Sequence, residues 1–416
     1  MKILTGFRYL GLVFSFLLFT NCKKADSSEK VLTFEVKNEL NFFRNEIVAI
    51  NIEDLQGMLE DVPKENIRVV KESDGEVIRN QWIDNDQDGE LDEMLFLANI
   101  DANSTLKYLI VNESTLNVPE NNAIAFSRFV PERLDDYAWE NDKVAFRTYG
   151  PSGQREAMEG VPGSTMSSGI DIWLKRTEKP VINKWYEHNL KSPGYYHEDH
   201  GEGYDPYHVG QSRGTGGIGV WENDSLLVSQ NFTNHRTIAK GPLRTVFELD
   251  YGPWSKYEIS ETKRISLDLG SNFSKFQISF KTDKEVPNYA VGITLHQNAG
   301  ETKIGGDGQW VRHWEKIDDA YVGQGIVINP ENLDSAFVKI SDAPDQSHLL
   351  VLASAADTLE YYAGFAWEKS GNISSAEEWD RQLQRQVEIN RNPLVVTLGE
   401  VELVSNSNSN SNSNVE

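Results

Sequence analysis

The stretch from Ser192 to Glu222 contains the densest group of side chains able to do chemistry. It holds three of the eight histidines of the chain, His197, His200 and His208, among many glycines and tyrosines. No apolar periodicity runs through its first two thirds, so we predict a long loop. Long loops in compact domains are usually functional or disordered, and the aromatic residues argue against disorder. We therefore expect a functional site in this loop.

His208 and Arg213 have the side chains in this loop that best suit proton transfer and carboxylate binding. An imidazole titrates near neutrality and can move protons, whereas a guanidinium can clamp a carboxylate through two parallel hydrogen bonds. Pro206 stiffens the approach to His208, and the neighbouring glycines let the backbone come close to a ligand. A histidine that only staples the loop through a hydrogen bond is the competing interpretation.

The segment HEDH at the start of the loop invites a metal-site interpretation. His197 and His200 enclose Glu198 and Asp199, and such side chains can bind a transition metal. The H-E-x-x-H pattern of zinc proteases is absent, and nothing fixes a third ligand. We expect exposed loop polarity here.

Two predicted strands carry further candidates on single faces. Alternation in KVAFRTYG puts Arg147 and Tyr149 on one face, and alternation in SGIDIWLKR does the same for Asp171, Trp173 and Lys175. A cation, a phenol and an indole fit a sugar cleft, because aromatic rings stack on sugars. A polar pair on an exposed sheet face is the alternative.

The remaining histidines give weaker signals. His235 stands near the start of a strand-like run, His296 lies in GITLHQN and His313 lies in GQWVRHWEK. Each can equally be a buried side chain with satisfied hydrogen bonds. The sequence contains no nucleophile elbow, Walker loop or dinucleotide-binding fingerprint.

An acidic segment, DNDQDGELDE, matches the front half of an EF-hand loop. Asp84, Asp86 and Asp88 stand at alternate positions, where carboxylates wrap a calcium ion. Leu95 occupies the position of the closing glutamate. The segment predicts either a structural calcium site or a solvated hairpin turn, and no other cofactor is expected.

The N-terminus has the layout of an export signal. Lys2 and Arg8 precede an apolar run from Tyr9 to Phe19 that is too short for a spanning helix. Residues 1–22 are therefore predicted to be a signal peptide.

Cys22, the only cysteine, stands where bacterial lipoproteins are cleaved and acylated. We expect lipidation there, a tether over residues 23–30 and a location at the outer membrane, on its periplasmic or surface side. Asn21 departs from the usual small residue before the cysteine, and a plain signal peptide is the alternative. The single thiol excludes disulfides within the chain and cysteine-ligated zinc.

The formal charge of the chain is −24 at pH 7. Such a charge repels nucleic acid and anionic lipid surfaces, so no nucleic-acid partner is expected and membrane contact is expected only through the lipid anchor. An anionic glycan would need a local cationic pocket to overcome this field.

Short alternating segments separated by turn residues predict an all-β protein. Residues 31–116 are typical of a small β-sandwich, and residues 123–400 of a large two-sheet sandwich with few helices. The one clear helix is predicted near the C-terminus, in SSAEEWDRQLQRQVEIN, with Ser374 or Ser375 as its N-cap. Residues 401–416 include a Ser-Asn repeat without apolar side chains, so we expect a disordered tail.

Several segments together resemble a known family: WIDNDQDGELDEMLF, KVAFRTYGP, SGIDIWLKR, DPYHVGQSRGTGGIGVWEND, VGITLHQN and YYAGFAWEKSG. They are similar to flavobacterial secreted proteins long classed as a domain of unknown function, which occur in gene clusters for degrading uronate-bearing polysaccharides. That family includes the oligosaccharide dehydratase of ulvan breakdown. The resemblance covers nearly the whole mature chain. It implies a galactose-mutarotase-like β-supersandwich and dehydration of a uronic acid at the non-reducing end of an anionic oligosaccharide, giving a 4,5-unsaturated sugar.

The implied reaction needs a base for the C5 proton, an acid for the departing O4 and a cation beside the carboxylate. We expect His208 and Tyr149 as the acid/base pair, with His235 in reserve, and Arg213 and Arg147 as carboxylate clamps. The remaining predicted substrate contacts are Trp173, Lys175 and Trp221.

Three rivals stay open at this point. A polysaccharide lyase would use the same residues but expel a sugar instead of water. A non-catalytic glycan-binding lipoprotein would need the tryptophans and not the histidines. A mutarotase or epimerase is suggested by the implied fold alone, which is weak support for a function.

Overall fold

The computed structural model describes residues 28–60 and 62–405. The predicted signal with Cys22 and the repeat beyond Ser405 lie outside the described residues. Within the described ranges, no helix has both the length and the apolar character needed to cross a membrane.

The structure is built mainly from antiparallel strands. The strands of the N-terminal part are β1 (Ser28–Lys37), β2 (Arg44–Asn51), β3 (Ile67–Lys71), β4 (Val77–Ile78), β5 (Asn80–Ile83), β6 (Glu93–Ile100) and β7 (Thr105–Asn112). The strands up to the central loop are β8 (Phe126–Val130), β9 (Asp136–Glu140), β10 (Ala145–Thr148), β11 (Asp171–Lys175) and β12 (Gly203–Tyr204).

The later strands are β13 (Thr215–Glu222), β14 (Ser225–Val228), β15 (Asn234–Lys240), β16 (Arg244–Trp254), β17 (Ile259–Asp268), β18 (Phe273–Lys281), β19 (Tyr289–Thr294), β20 (Glu301–Gly305), β21 (Trp310–Ile317), β22 (Ala320–Ile328), β23 (Leu333–Lys339), β24 (His348–Ala353), β25 (Thr358–Trp367) and β26 (Val395–Ser405). The α-helices are α1 (Gln56–Leu59), α2 (Pro151–Met158), α3 (Ile182–Lys191) and α4 (Ala376–Arg391). The predicted all-β class is confirmed.

The N-terminal strands form a small β-sandwich. One sheet has the order β26-β1-β7-β3-β4, and the other has the order β2-β6-β5. Alternate side chains of the two sheets point inward. Phe34, Phe96 and Tyr108 form a buried aromatic group in this core, with ring centroids 5.2–5.5 Å apart.

The C-terminal strand returns to the small sandwich, which changes the expected domain boundaries. β26 pairs antiparallel with β1, so residues 395–405 belong to the N-terminal sheet. Residues 401–405 are therefore in a strand and not in a disordered tail, and β1 already begins at Ser28, inside the expected tether. Val396 and Leu398 alternate along β26 and pack against the core of the small sandwich. The sequence did not predict this pairing, because β1 and β26 lie more than 350 residues apart along the chain.

The large sandwich packs one eight-stranded sheet against two five-stranded sheets. The large sheet has the order β15-β16-β17-β18-β25-β22-β21-β20. The smaller sheets have the orders β12-β11-β10-β9-β8 and β14-β13-β19-β24-β23, and a bridge between Ile170 and Gly214 connects them. One apolar core unites inward side chains from all three sheets, among them Trp139, Phe247 and Val291.

Helices cover the outer faces of the large sandwich. As predicted, Ser375 caps α4, and its hydroxyl accepts a hydrogen bond from the Glu378 amide. α4 packs Trp379 and Leu383 on the outer face of the eight-stranded sheet.

Helix α3 was not predicted, yet it covers the outer face of the sheet formed by β8 to β12. The Glu140 carboxylate accepts hydrogen bonds of 2.9–3.0 Å from the amides of Val181 and Ile182 at the start of this helix. The first amides of a helix have no partner inside the helix, and a carboxylate also suits the positive end of the helix dipole. This cap comes from a residue about forty positions earlier, so no local pattern marks it.

Candidate functional site

Arg147 lies in a buried cluster of opposite charges and not in an open cleft. Its Nε and Nη2 donate to Asp171 Oδ2 at 2.9 and 2.5 Å, and Nη2 also donates to Asp205 Oδ2 at 2.9 Å. The Tyr149 hydroxyl lies 3.4 Å from the same Asp171 oxygen, and burial raises its pKa well above the ordinary value. The predicted role of Arg147 as a substrate clamp is corrected, because its guanidinium lies over the rings of Trp173 and Tyr196, under α3 and the segment after it. The predicted role of Tyr149 in the acid/base pair is corrected as well, because its ring is buried in the core of the large sandwich.

Asp136 completes this cluster in an unfavourable environment. Its Oδ2 lies 3.8 Å from Arg147 Nη1, and neither carboxylate oxygen receives a hydrogen bond from the described residues. Burial raises the pKa of Asp136 to about 6, against the opposing charges of Arg147 and Arg133.

Replacing Asp136 with asparagine should stabilise the protein at high pH. A carboxyl group whose native pKa lies above its unfolded value of 3.8 makes stability fall as pH rises from about 4 to about 6. D136N should therefore gain up to about 3 kcal/mol of unfolding free energy at pH 8 and little at pH 4. Urea unfolding across this range measures the effect. A loss of stability in D136N at pH 8 that disappears at low pH would mean that the charged carboxylate stabilises Arg147 instead.

Lys175 and Trp173 are structural residues. Lys175 Nζ donates to Glu140 Oε2 at 2.9 Å and to the carbonyls of Asn141 and Lys179 at 2.7 and 3.0 Å. Trp173 has no exposed surface and packs against the aromatic side chains of α3. Their predicted contacts with substrate are corrected, because both side chains point under α3 and not into solvent.

Arg213 lies inside the core of the large sandwich. Its Nη1 donates to Ser168 Oγ at 2.9 Å and to the Ile218 carbonyl at 3.1 Å. Burial lowers the pKa of Arg213 to about 10, so the side chain is still charged at neutral pH. A Cβ atom on Gly292 would come within 2.8 Å of Arg213 Cγ, so the glycine makes room for the arginine. The predicted carboxylate clamp is corrected, since a side chain that is 1% exposed does not reach a substrate.

His208 lines a cleft of about 650 Å³, together with His296. The central loop supplies His208, and His296 follows the end of β19. The His208 Nε2 lies 3.3 Å from Asp345 Oδ1, in the loop between β23 and β24. The His296 Nδ1 lies 2.9 Å from Glu315 Oε1 on β21. Two imidazoles, each paired with a carboxylate, therefore share one cleft.

The hydrogen bonds of His296 define its protonation. Its Nδ1 faces the Glu315 carboxylate, and its Nε2 lies 2.6 Å from the His208 carbonyl oxygen. Only an imidazolium donates from both ring nitrogens. Burial alone would lower the pKa of His296, but the hydrogen bond and charge of Glu315 outweigh it and raise the pKa above 6.5. The surroundings of His296 thus favour its imidazolium form, whereas the side chain of His208 is 68% exposed.

A hydrogen-bonded chain behind the cleft holds Glu315 in place. Gln324 Nε2 donates to Glu315 Oε1 at 2.9 Å, and the Tyr207 hydroxyl donates to Gln324 Oε1 at 2.6 Å. Neighbouring His313 has a different role, because its Nε2 donates to the Ala299 carbonyl at 2.8 Å and burial lowers its pKa. His313 is therefore neutral and supports the wall of the site.

Two further predicted residues lie outside the cleft lining. His235 stacks on Phe129 with centroids 4.1 Å apart, and burial lowers its pKa. Trp221 packs edge-on against Phe337 with centroids 5.3 Å apart. Neither residue lines the cleft of His208, so the reserve role of His235 and the stacking role of Trp221 stay predictions.

The histidines of HEDH contact the backbone. His197 Nδ1 lies 2.8 Å from the Asp205 carbonyl oxygen, and His200 Nε2 lies 3.0 Å from that of Tyr195. These bonds fold the loop start against the segment that carries Asp205.

The acidic turn brings its three aspartates together. Asp84, Asp86 and Asp88 each offer a carboxylate oxygen within 4.8 Å of the others. Several of these oxygens also accept turn amides, which is how such a loop closes without an ion. Asn85 in this turn receives a 2.7 Å hydrogen bond from Arg264, so the turn contacts the large sandwich. Calcium binding stays a prediction.

Sequence reasoning found His208 but missed its partners. His296 was noted without a role, and neither Glu315 nor Asp345 was singled out. A carboxylate on a strand and one in a distant loop give no local signal, because only the fold joins them to the histidines.

The family model described as "Domain of unknown function (DUF4861)" matches residues 36–396. The chain is 40% identical over 386 residues to "Uncharacterized protein P7" of Formosa agariphila, with 92% of this chain and 96% of that protein covered.

Two solved structures from Enterococcus faecalis are similar at 10% identity: a protein in glycosyl hydrolase family 38, with a TM-score of 0.49, and an α-mannosidase, with a TM-score of 0.47. Each similarity covers 90% of this chain but only 48% and 46% of those chains, so this chain spans about half their length. Similarities at this level carry no argument about chemistry. The family match and the 40% identical relative show that the chain belongs to the DUF4861 family.

Proposed function

We propose that this protein is a carbon–oxygen lyase that removes water from a uronic acid at the non-reducing end of an oligosaccharide. The observation that carries the proposal is the pair His208–Asp345 and His296–Glu315 in one cleft. An elimination needs a base and an acid at different positions around the sugar ring, and this cleft offers one of each.

The roles of the two histidines follow from their environments. His208 is exposed and lies near Asp345, so its imidazole can take the C5 proton and Asp345 can stabilise the resulting cation. His296 is held as an imidazolium by two oxygen acceptors, so it can donate a proton to the departing O4. The C5–H bond and the C4–O4 bond break, a C4–C5 double bond forms, and water leaves.

The substrate carboxylate also needs a positive neighbour, because the C5 proton is acidic only when that charge is offset. Lys316 lines the same cleft, and the His296 imidazolium adds a second positive charge. Glu315, Asp342 and Asp345 line it too, so the site favours a single sugar acid over a densely charged chain.

Mass spectrometry of defined saturated uronate oligosaccharides tests this proposal. The expected product is lighter by one water, absorbs ultraviolet light through its new double bond and keeps every sugar. Splitting of the oligosaccharide would instead identify a polysaccharide lyase. An unchanged mass with measurable binding by calorimetry would overturn the enzyme proposal and favour a glycan-binding protein. Added calcium or a chelator in parallel samples tests dependence on the acidic turn.

We further propose that the protein is exported and anchored through Cys22, as the sequence predicts. Radiolabelled palmitate incorporation that disappears in C22S would support the anchor, and unchanged labelling would contradict it.

A further inference from the structure

A second and larger cleft, of about 910 Å³, lies between the small sandwich, the outer face of the eight-stranded sheet and α4. We call it the interdomain cleft. Arg44 from β2 lines one wall, Arg264 and Lys275 from neighbouring strands line the floor, and Arg385 from α4 lines another wall. Its volume is at the upper end of the range for small-molecule sites.

The lining of the interdomain cleft has the opposite charge balance to the whole chain. Six lining residues are cationic and three are acidic, whereas the chain as a whole carries a charge of −24. The cations are Arg44, Lys143, Arg244, Arg264, Lys275 and Arg385, and the acids are Glu46, Glu93 and Asp268. Glu248 and Glu360, just beyond the lining, pair with Arg264 and Lys275.

Two of the six cations have no such partner. Among the residues that the structure describes, no carboxylate oxygen lies within 4 Å of the charged nitrogens of Lys143 or Arg385. Arg385 instead lies over the ring of Phe42, 5.1 Å from its centroid. Lys143 is half-buried, and burial lowers its pKa against the charge of Asp142. A partly buried ammonium with no carboxylate oxygen within 4 Å favours an anionic ligand.

The same lining offers contacts for a sugar ring. Phe43 is 55% exposed beside Phe42, and both rings line the cleft. Such rings stack on the C–H faces of sugars. Ser266 and Tyr362 flank Lys275 in register on neighbouring strands, so hydroxyl groups surround that cation.

The described residues that line the interdomain cleft include no histidine. Two of its three acidic side chains are in close ion pairs, since Glu46 lies 2.5 Å from Arg44 and Asp268 lies 2.5 Å from Arg244. Both carboxylates are therefore occupied by arginine partners. The chemistry of the lining is that of a binding site.

We propose that the interdomain cleft is a non-catalytic site for an anionic saccharide, whose carboxylate or sulfate groups contact Lys143 and Arg385. The site is separate from the cleft of His208 and His296, so it can hold sugar acids whether or not the chain is a dehydratase. The negative charge of the whole protein repels polyanions. Such a site would therefore hold an anionic saccharide close to the protein surface.

Calorimetry with the full mature chain tests the site, with trigalacturonate and its methyl ester as probes. Measuring in the H296Q variant prevents turnover. K143Q/R385Q is expected to weaken trigalacturonate binding by about tenfold or more, since charge-assisted hydrogen bonds are lost. The matched control K281Q/R381Q changes an exposed lysine and another arginine of α4, and it should bind like the parent.

A local readout separates this cleft from the catalytic one. Bound trigalacturonate should slow acetylation of Lys143, followed by peptide mass spectrometry, and leave Lys281 unchanged. Equal affinity of K143Q/R385Q and the parent, equal binding of the methyl ester, or an unprotected Lys143 would each overturn the proposal. None of these results affects the outcome of the dehydration assay, so the two proposals can fail separately.

Discussion

Replacing His296 with glutamine is expected to lower kcat on a saturated uronate oligosaccharide by about 10²- to 10⁴-fold, the usual contribution of a general acid or base. Both ring nitrogens of His296 contact oxygen acceptors, and these contacts favour the protonated imidazolium. Glutamine keeps a hydrogen-bond donor but has no proton to give. The rate of ultraviolet absorbance increase measures the effect, and thermal unfolding checks that the variant folds.

The pH dependence of activity distinguishes a role of His296 in proton transfer from a purely structural role in the cleft wall. An acid works only when protonated, so wild-type activity should fall as pH rises through the raised pKa of His296. Glu315→Gln removes the carboxylate whose charge and hydrogen bond raise the pKa of His296. The alkaline limb of the profile should therefore move to lower pH. H200A removes an exposed histidine outside the cleft and should keep the wild-type profile. A profile of E315Q with an unmoved alkaline limb would contradict the role of His296 as the acid.

Replacing Arg147 with methionine is expected to lower the free energy of unfolding by about 3–5 kcal/mol, as when one partner of a buried ion pair is removed. The change would leave Asp171 and Asp205 buried without their shared cation, beside Asp136. The three buried carboxylates would then repel one another. Urea unfolding at pH 7 measures the loss, and part of it should return near pH 4, where the carboxyl groups take up protons.

The matched control for this variant is Arg176→Met. Arg176 pairs with Asp199 at 2.8 Å, but both side chains are about a quarter exposed, so the change should cost about 1 kcal/mol or less. If R147M unfolded like the wild type and lost only activity, Arg147 would be a substrate clamp after all.

The sequence predicted the parts of the fold that depend on local patterns. Alternating segments identified most strands, and the periodicity of Trp379, Leu383 and Val387 identified α4. It did not predict that β26 returns to β1, because strand pairing over more than 350 residues has no local signature. It also did not predict α3, whose N-terminus is capped by distant Glu140.

The missing helix explains the errors about Arg147, Trp173 and Lys175. Alternation correctly put Arg147 on one face of its strand and Trp173 on one face of the next. Whether that face meets solvent depends on what packs on it, and α3 buries it. His208 was identified because glycines and Pro206 mark its loop as functional. Glu315 was missed because one carboxylate on an ordinary strand looks like any other until the fold brings His296 within 2.9 Å.

The most direct test of the account compares the initial rates of unsaturated-sugar formation by H208A, H296Q and Y149F under one condition. His208 and His296 share the cleft, whereas the Tyr149 hydroxyl is buried beside Asp171. We predict that both histidine variants lose nearly all activity and that Y149F keeps most of it. Loss of activity in Y149F, with both histidine variants still active, would contradict proton transfer in this cleft.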